Sequence, residues 1–406
     1  MIILKIFFVL FEMGFQLKWN LIGEISISEF FLLFSSIYYI YRTKPFHNIV
    51  LRSTSYLILL LIFIQIITEY IIGNELNNTL RGIAINIVAF LHICFLYYYL
   101  NKDRRYVVWF ALGFLLRYLF IAPETDLEDL AYENIEHDRA FLYFVKFRLV
   151  PMIEPFLVIL SVYFYKRSYC FFVFVIGVAL VILGSRSGGM IILISGLLTF
   201  FSYKRKGVGK YFKIHVVMFL IASYGIYCAY ANQVLKGKIT SGNSGQLLKV
   251  ENPYNPINLL MMGRTESFVG FVAFTDRPWT GWGAWAKDSD NYYRYLMMEY
   301  RNIDYKILNN DFIIPSHSVL IGSGMTNGIF AFSCMLLIFF TVIKRSYFLL
   351  KFSNDYYYII CFYLLYFIWH MLFSPPSAFR YIIPLPVAFI YASWNLKKKE
   401  LFKRNH

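Results

Sequence analysis

An uncharged run, VLIGSGMTNGIFAFSCMLLIFFTVI, occupies positions 319–343, directly after Pro315-Ser316-His317-Ser318. Such a run is long enough to cross the roughly 30 Å hydrocarbon core of a bilayer as one helix. It follows residues 231–316, the one long polar stretch in a chain that otherwise consists of apolar runs. The sequence therefore predicts a membrane protein with one large loop outside the bilayer.

The composition leads to the same prediction for the whole chain. Of its 406 residues, 59% are hydrophobic and only 16% are charged, whereas a soluble protein has about 25% charged residues. The net charge of +15 raises the question of nucleic-acid binding. Because the Lys and Arg residues fall in short clusters between apolar runs, they instead indicate membrane topology. We expect a single polytopic domain, 1–406, with no nucleic-acid partner.

A membrane-spanning helix needs about 20 mostly apolar residues. Segments that approach this pattern lie at 2–17, 26–41, 53–72, 82–100, 106–122, 147–165, 169–184, 188–202, 212–230, 317–343, 356–373 and 380–396. The predicted fold is therefore an all-α integral membrane protein with about twelve transmembrane helices. Its long loop, 231–316, is expected to contain short helices.

The charges of the loops predict the orientation. Basic clusters alternate with loops that are poor in Lys and Arg, and one of the latter, Glu124–Asp138, is strongly acidic. Basic loops stay on the cytoplasmic side. Twelve spans then leave both termini in the cytoplasm and place 123–146 and 231–316 outside.

The first candidate site residue is Arg186, in the turn Gly184-Ser185-Arg186-Ser187-Gly188-Gly189 between two short spans. The helix predicted to begin near Ser187 directs free N–H groups and the positive end of its dipole to the same place. Arg binds phosphate through two parallel hydrogen bonds. The turn therefore predicts an anion site, and the alternative is an arginine that extends to the membrane surface.

The second candidate is Arg264, which opens a helical apolar pattern that runs to about Thr275. The alternative for Arg264 is a solvated helix-end charge paired with Glu266 or Asp276. A turn, Pro278-Trp279-Thr280-Gly281-Trp282-Gly283, follows. We expect Trp282 either to stack on a sugar or to anchor the loop at the interface, where Trp is enriched.

The third candidate is His317. Pro315 and Ser316 are residues typical of a helix start, so His317 is expected in the first turn of the next span. A helix N-terminus disfavours the charged imidazolium. We therefore expect a neutral imidazole that is able to accept a proton. A structural histidine at the interface is the alternative.

Three further arginines are candidates for substrate binding, and the sequence also bears on whether a metal takes part. Arg148, Arg380 and Arg117 fall near outer ends of predicted spans and are expected to line a substrate channel. The alternative for Arg117 is an ion pair with a residue such as Glu69 or Glu154. No acidic pair such as DxD stands in a suitable place, and the five cysteines lie in apolar runs. We expect no metal and no cofactor.

The order of these groups resembles the O-antigen polymerase and ligase superfamily, Wzy and WaaL-like proteins. The resemblance covers 170–345 and rests on Ser185-Arg186-Ser187-Gly188, the Gly263-Arg264 pair, the turn at 278–283, and His317 followed by Gly322, Gly324 and Gly328. It implies an enzyme of the bacterial inner membrane that acts on glycans carried by undecaprenyl pyrophosphate. It also implies that Arg186, Arg264 and His317 bind pyrophosphate and activate the acceptor.

Within this superfamily we favour a polymerase of lipid-linked oligosaccharide repeat units, for O-antigen or for capsular or exopolysaccharide. Its partners would be the undecaprenyl pyrophosphate-linked oligosaccharide, membrane lipid and a chain-length regulator protein. One alternative is an O-antigen ligase that transfers the glycan to lipid A core. An alternative from another class is a flippase for lipid-linked oligosaccharides, which needs a central cationic cavity but no external histidine base.

The predicted topology is testable with reporter fusions. Fusions within Lys204–Lys213 and at Lys397 are expected to report the cytoplasm, because these segments carry basic clusters. Fusions within 240–310 are expected to report the periplasm, as measured by paired alkaline phosphatase and fluorescent-protein reporters. A cytoplasmic signal from 240–310 would contradict the orientation and the external chemistry with it.

Overall fold

The chain folds into a mostly helical structure. A computed structural model describes residues 2–20, 23–120, 144–164, 167–203, 212–238, 247–301, 312–352 and 356–404. The acidic segment 124–138 and part of the basic cluster 204–213 lie outside these described residues. The helices are α1 (Ile2–Met13), α2 (Ile27–Phe34), α3 (Ser36–Thr43), α4 (Arg52–Ile72), α5 (Leu76–Leu100), α6 (Val107–Phe120), α7 (Val150–Tyr163), α8 (Arg167–Ile182), α9 (Arg186–Tyr203), α10 (Phe212–Leu235), α11 (Pro256–Gly263), α12 (Thr265–Asp276), α13 (Tyr292–Arg301), α14 (Val319–Leu350), α15 (Tyr357–Phe373), α16 (Ala378–Tyr381) and α17 (Pro384–Arg404).

A few shorter elements connect these helices. Two three-residue strands, β1 (Lys18–Asn20) and β2 (Glu24–Ser26), form an antiparallel pair between α1 and α2. Short 3-10 turns lie at Gly14–Gln16 and Arg104–Tyr106, and a π-helical turn at Val145–Leu149 leads into α7. The Ser26 hydroxyl and the Glu29 carboxylate form a reciprocal cap at the start of α2.

In the described part of the chain, three helices are long and apolar enough to cross a membrane, namely α4, α5 and α14. These helices indicate a membrane protein, but they are far fewer than the twelve spans predicted. A helix rises only about 1.5 Å per residue, so the helices at two of the predicted spans are too short to cross the bilayer. The first, α1, has 12 residues, and the second is divided at Ser35 into two helices of eight.

The long loop contains short helices, as predicted. Helices α11, α12 and α13 lie within 231–316, and α12 covers almost the run predicted from Arg264 to Thr275. Its buried face carries Val269 and Ala273, which pack with α14. Phe271 is half exposed, so the apolar pattern of this helix reflects packing on one side and an open face on the other.

Phe95 of α5 lies at the centre of an aromatic core that joins the first helices. Its ring is fully buried and lies 4.4 Å from the Phe11 ring of α1 and 5.8 Å from the Phe31 ring of α2. It also lies 5.0 Å from Tyr39 of α3 and 6.0 Å from Phe110 of α6. Ring centroids at these separations stabilise a core beyond the effect of buried area alone.

Helix α14 is interrupted at Gly328, where φ is +76°. The interruption frees backbone groups, and buried groups of this kind must find partners elsewhere. The turn at 278–283 supplies them: the Ile329 N–H donates to the Pro278 carbonyl (2.7 Å), and the Trp282 N–H donates to the Met325 carbonyl (2.8 Å). Hydrogen bonds between the loop and the helix thus replace those that an unbroken helix would make within itself.

A buried carboxylate holds the next residues of the same loop. Glu69 of α4 is 2% exposed, and its Oε1 accepts the Ala284 N–H at 2.8 Å. Its Oε2 accepts Nδ2 of Asn74 at 2.6 Å, and the same Nδ2 donates to the Ala284 carbonyl at 2.9 Å. The sequence suggested an arginine partner for Glu69, but the structure gives it backbone and amide donors instead.

Replacing Gly328 with Ala is expected to destabilise the protein by about 2 kcal/mol or more. The left-handed backbone disfavours a side chain, and the added methyl group would overlap the Trp279 carbonyl. Thermal unfolding of the purified protein measures the effect. The matched control is Gly225→Ala in α10, where an added methyl group meets no atom within 4 Å. Equal melting temperatures for the two variants would contradict the role given to Gly328.

Candidate functional site

The sequence predicted His317 in the first turn of α14, but the residue lies just before that helix. The helix begins at Val319, because the Ser318 hydroxyl caps it by accepting the Ile321 N–H at 3.0 Å. The same hydroxyl donates to the Met371 carbonyl of α15 at 3.2 Å. Ser318, rather than Ser316, therefore sets the helix start, and His317 stays exposed at the end of the loop.

A hydrogen bond joins the predicted base to the helix that carries the second arginine. The Ser267 hydroxyl of α12 donates to the backbone carbonyl of His317 at 2.8 Å. Arg264 lies three residues before Ser267, directly ahead of the first residue of α12. The structure therefore brings Arg264 and His317 to the same end of the α12–α14 pair.

The Arg264 guanidinium lies over aromatic rings, 4.9 Å from the Trp369 centroid and 6.0 Å from that of Phe373. Its two expected carboxylate partners are engaged elsewhere, since Glu266 pairs with Arg301 and Asp276 accepts the Tyr293 hydroxyl at 2.7 Å. Among the described residues, no carboxylate lies within ion-pair distance of Arg264. Its charge is therefore available to an anion.

The environment of Arg264 also affects its ionisation. Burial lowers the pKa of the Arg264 guanidinium from its ordinary value, and the charge of nearby Glu266 opposes that shift. Desolvation of this kind strengthens the attraction of the guanidinium for an incoming anion, because fewer water molecules screen it.

His370 of α15 is a neighbour of Arg264 that sequence reasoning ranked low. Its ring lies 4.1 Å from the Tyr366 ring, and its Nδ1 is 2.6 Å from the Ser374 hydroxyl. It interacts electrostatically with Arg264. The spacing of Tyr366, His370 and Ser374 at intervals of four residues is the signal that could have revealed this aligned face.

Tyr366 also connects Arg264 to a deeper group of charges. It interacts electrostatically with Glu154 of α7 and with Arg117 of α6, both of which are buried. Within the described ranges, Nε and Nη1 of Arg117 have no hydrogen-bond partner. We call Arg117, Glu154, Tyr366, His370 and Arg264 the outer polar cluster, because Arg264 belongs to the long loop and the other four are linked to it through His370 and Tyr366.

Arg186 is the first residue of α9, one position earlier than the helix start expected from the sequence. The turn before it needs Gly184, where φ is +95°. Arg186 interacts electrostatically with Tyr227 of α10, whose hydroxyl donates to the Pro253 carbonyl at 2.6 Å. Its convergence with Arg264 on one phosphate group stays a prediction.

The other predicted binding residues have different surroundings. Arg148 is exposed in the π-helical turn before α7. Arg380 pairs with Glu29 at 3.3 Å, a partner that the sequence did not indicate. Trp282 is packed inside the loop, where its indole N–H donates to the Ala273 carbonyl at 2.7 Å. Stacking of Trp282 on a glycan stays a prediction.

A cavity of about 330 Å³ lies beside His317. Helices α4, α5 and α14 form its walls together with the loop segments around Trp285 and Pro315, and the segment around Pro376 closes one side. This volume falls at the lower end of the range of about 300–1,000 Å³ for small-molecule sites. Gln65 and Asn86, which line the cavity, were not singled out from the sequence.

The part of the chain that the structure describes contains no group of three or more His, Cys, Asp or Glu side chains able to hold a metal ion. Metal independence stays a prediction.

No protein-family model matches the chain, and no curated protein matches it. The resemblance to O-antigen polymerases and ligases therefore rests on the short motifs around Arg186, Arg264 and His317, and it stays a prediction.

Proposed function

We propose that the chain is a multi-pass enzyme of the bacterial inner membrane that polymerises lipid-linked oligosaccharide repeat units. In this proposal it crosses the membrane about twelve times, both termini are cytoplasmic, and the loop 231–316 faces the periplasm. The single observation that carries it is the Ser267–His317 hydrogen bond. This bond joins an exposed histidine to the helix headed by Arg264, which has no carboxylate partner among the residues that the structure describes. A proton acceptor beside an anion site is what transfer from a lipid pyrophosphate requires.

The chemistry follows from these two groups. The acceptor hydroxyl gives its proton to the His317 imidazole while its oxygen attacks C1 of the donor sugar. The bond between C1 and the pyrophosphate oxygen breaks, and its electron pair leaves with undecaprenyl pyrophosphate. Arg264 and Arg186 stabilise the negative charge that develops on the leaving group. Direct displacement of this kind inverts the anomeric centre and uses a donor that is already activated.

The surroundings of Arg264 support this role. Aromatic rings fix its guanidinium by a cation–π interaction, and the outer polar cluster supplies a second buried arginine, Arg117, with unused donor atoms. A pyrophosphate group can accept several such hydrogen bonds. A flippase would use cations along a transmembrane path and has no need of a histidine fixed beside the loop, so the polymerase is the better explanation.

Deleting the gene tests the role in the cell. If the protein is a polymerase, the surface lipopolysaccharide or capsule of the deletion strain is expected to carry single repeat units, seen as loss of the ladder on a gel. Bare lipid A core together with long lipid-linked polymer would indicate a ligase. Repeat units retained on the cytoplasmic face would indicate a flippase.

Arg186→Ala and Arg264→Ala are each expected to remove most of the transfer activity at unchanged protein level. Lys in either position is expected to restore only part of it, because a point charge cannot make the paired contact to phosphate. The matched control is Arg277→Ala, which removes an exposed arginine that stacks on Trp282 at 3.8 Å. Activity in Arg264→Ala as high as in the control would exclude a role in pyrophosphate binding.

His317→Gln is expected to lower the transfer rate about 10²–10⁴-fold, because Gln keeps a hydrogen-bonding group but accepts no proton. Binding of the lipid pyrophosphate is expected to stay largely intact, since the arginines provide it. Transfer is measured in vitro on purified lipid-linked repeat units, with His47→Gln, at an exposed position, as the control. A near-native rate would show that His317 only positions the acceptor.

A further inference from the structure

The cavity beside His317 is lined by polar side chains from three of the long helices, α4, α5 and α14. Gln65 lies on α4, Asn86 on α5, and Ser323 and Asn327 on α14. All four side chains are less than 9% exposed. Polar groups at this depth are costly unless they are hydrogen-bonded, so their concentration around one cavity points to a bound ligand.

The cavity is polar without being charged. In the described part of the chain, its lining includes no Asp, Glu, Lys or Arg side chain, and His317 is the one titratable group with basic character. An ionic ligand would lose its hydration there without gaining an opposite charge. The lining therefore fits an uncharged ligand, in contrast to the surroundings of Arg264.

The amide groups have donors and acceptors left over. Nδ2 of Asn86 donates to Oε1 of Gln65 at 2.8 Å, and Oδ1 of Asn327 accepts the Thr68 hydroxyl at 3.1 Å. Nε2 of Gln65 and Oδ1 of Asn86 take no part in the bond between these two amides, and neither residue is exposed. A donor and an acceptor side by side match a hydroxyl group, which gives one hydrogen bond and receives another.

Trp285 provides an apolar surface on the same cavity. Its backbone φ is +53°, an unfavourable value for a bulky residue that indicates a functional constraint. The Arg81 guanidinium stacks on its ring at 4.4 Å and fixes its orientation. A flat aromatic ring and amide groups in one cavity suit a ligand ring that carries hydroxyls at its edge and C–H groups on its face.

We propose that this cavity is the acceptor subsite and that it binds an uncharged sugar, held by Gln65 and Asn86 with a hydroxyl directed toward His317. This assignment rests on the proposed function. It separates the two substrates, because the acceptor sugar occupies the neutral cavity and the donor pyrophosphate occupies the cationic side at Arg264.

Sugar binding is measured without catalysis on an array of oligosaccharides, one set neutral and one set containing uronic acids. The wild-type protein is expected to bind neutral oligosaccharides. The double variant Gln65→Leu/Asn86→Leu is expected to lose binding by about tenfold or more, since it removes at least two hydrogen bonds. Replacing both partners of the pair with apolar groups of similar shape leaves no unsatisfied amide, so the fold is retained.

The control is Asn77→Leu, the same change at an exposed position in the first turn of α5. It is expected to bind as the wild type does. Unchanged binding by the double variant overturns the proposal, as does a wild-type protein that prefers acidic oligosaccharides or binds no neutral one.

A transfer assay separates the failure of this proposal from that of the proposed function. The double variant is expected to raise KM for the acceptor about tenfold with a smaller change in kcat, and His317→Gln is expected to keep its binding on the array. If the wild-type protein binds sugar but transfers none, the proposed enzymatic function is wrong and the proposed sugar site stands. If the wild type is active and the double variant has an unchanged KM for the acceptor, the proposed sugar site is wrong and the enzymatic function stands.

Discussion

The exchange of backbone hydrogen bonds at Gly328 is the constraint on which the arrangement of the loop depends. Once α14 is interrupted, the carbonyls of Met325 and Thr326 need donors, and the N–H groups of Trp282 and Gly283 supply them. Because backbone atoms make these bonds, the position of the turn is fixed by the path of the chain. Glu69 then holds Ala284, which brings Trp285 to the edge of the cavity.

The candidate site that this arrangement forms has two parts of different electrostatic character. On one side, the half-buried Arg264 of the outer polar cluster places positive charge next to aromatic rings, where water screens its attraction for an anion less than in bulk solvent. On the other side, Gln65 and Asn86 line a space that has polarity without net charge. His317 lies between the two, and its backbone is fixed by Ser267 while its side chain remains exposed. Such a division suits a reaction with one charged and one neutral substrate.

The sequence predicted the positions of most helices because apolar runs are local signals. Helices occur at the predicted spans, and the loop contains the helix expected after Arg264. Among the described residues three helices are long enough to cross a membrane, against twelve predicted spans, because run length on the sequence does not reveal a break such as that at Ser35. The start of α14 was misplaced by two residues, since Ser316 and Ser318 are equally good caps by composition and only the contact with Met371 distinguishes them.

The motifs with Arg264 and His317 could be found because each stands beside Gly or Pro in an otherwise apolar chain. Gln65, Asn86 and Asn327 gave no such signal, since single amides within apolar runs look like tolerated polar residues until the helices are packed together. Glu69 was noticed, but the donors that satisfy it come from residues far away in the sequence. Partners of this kind are set by tertiary structure, and local patterns in a single sequence do not identify contacts between distant residues.

The backbone origin of the contact between the turn and α14 has a consequence for diversification. A joint made of N–H and carbonyl groups does not depend on which side chains the loop carries, provided that glycine is kept where φ is positive, as at Gly281 and Gly328. Exposed residues after the turn, such as Tyr292 and Tyr295 of α13, can then change in shape and polarity while the turn keeps its place. The loop thus has the properties of an exchangeable surface element on a constant frame.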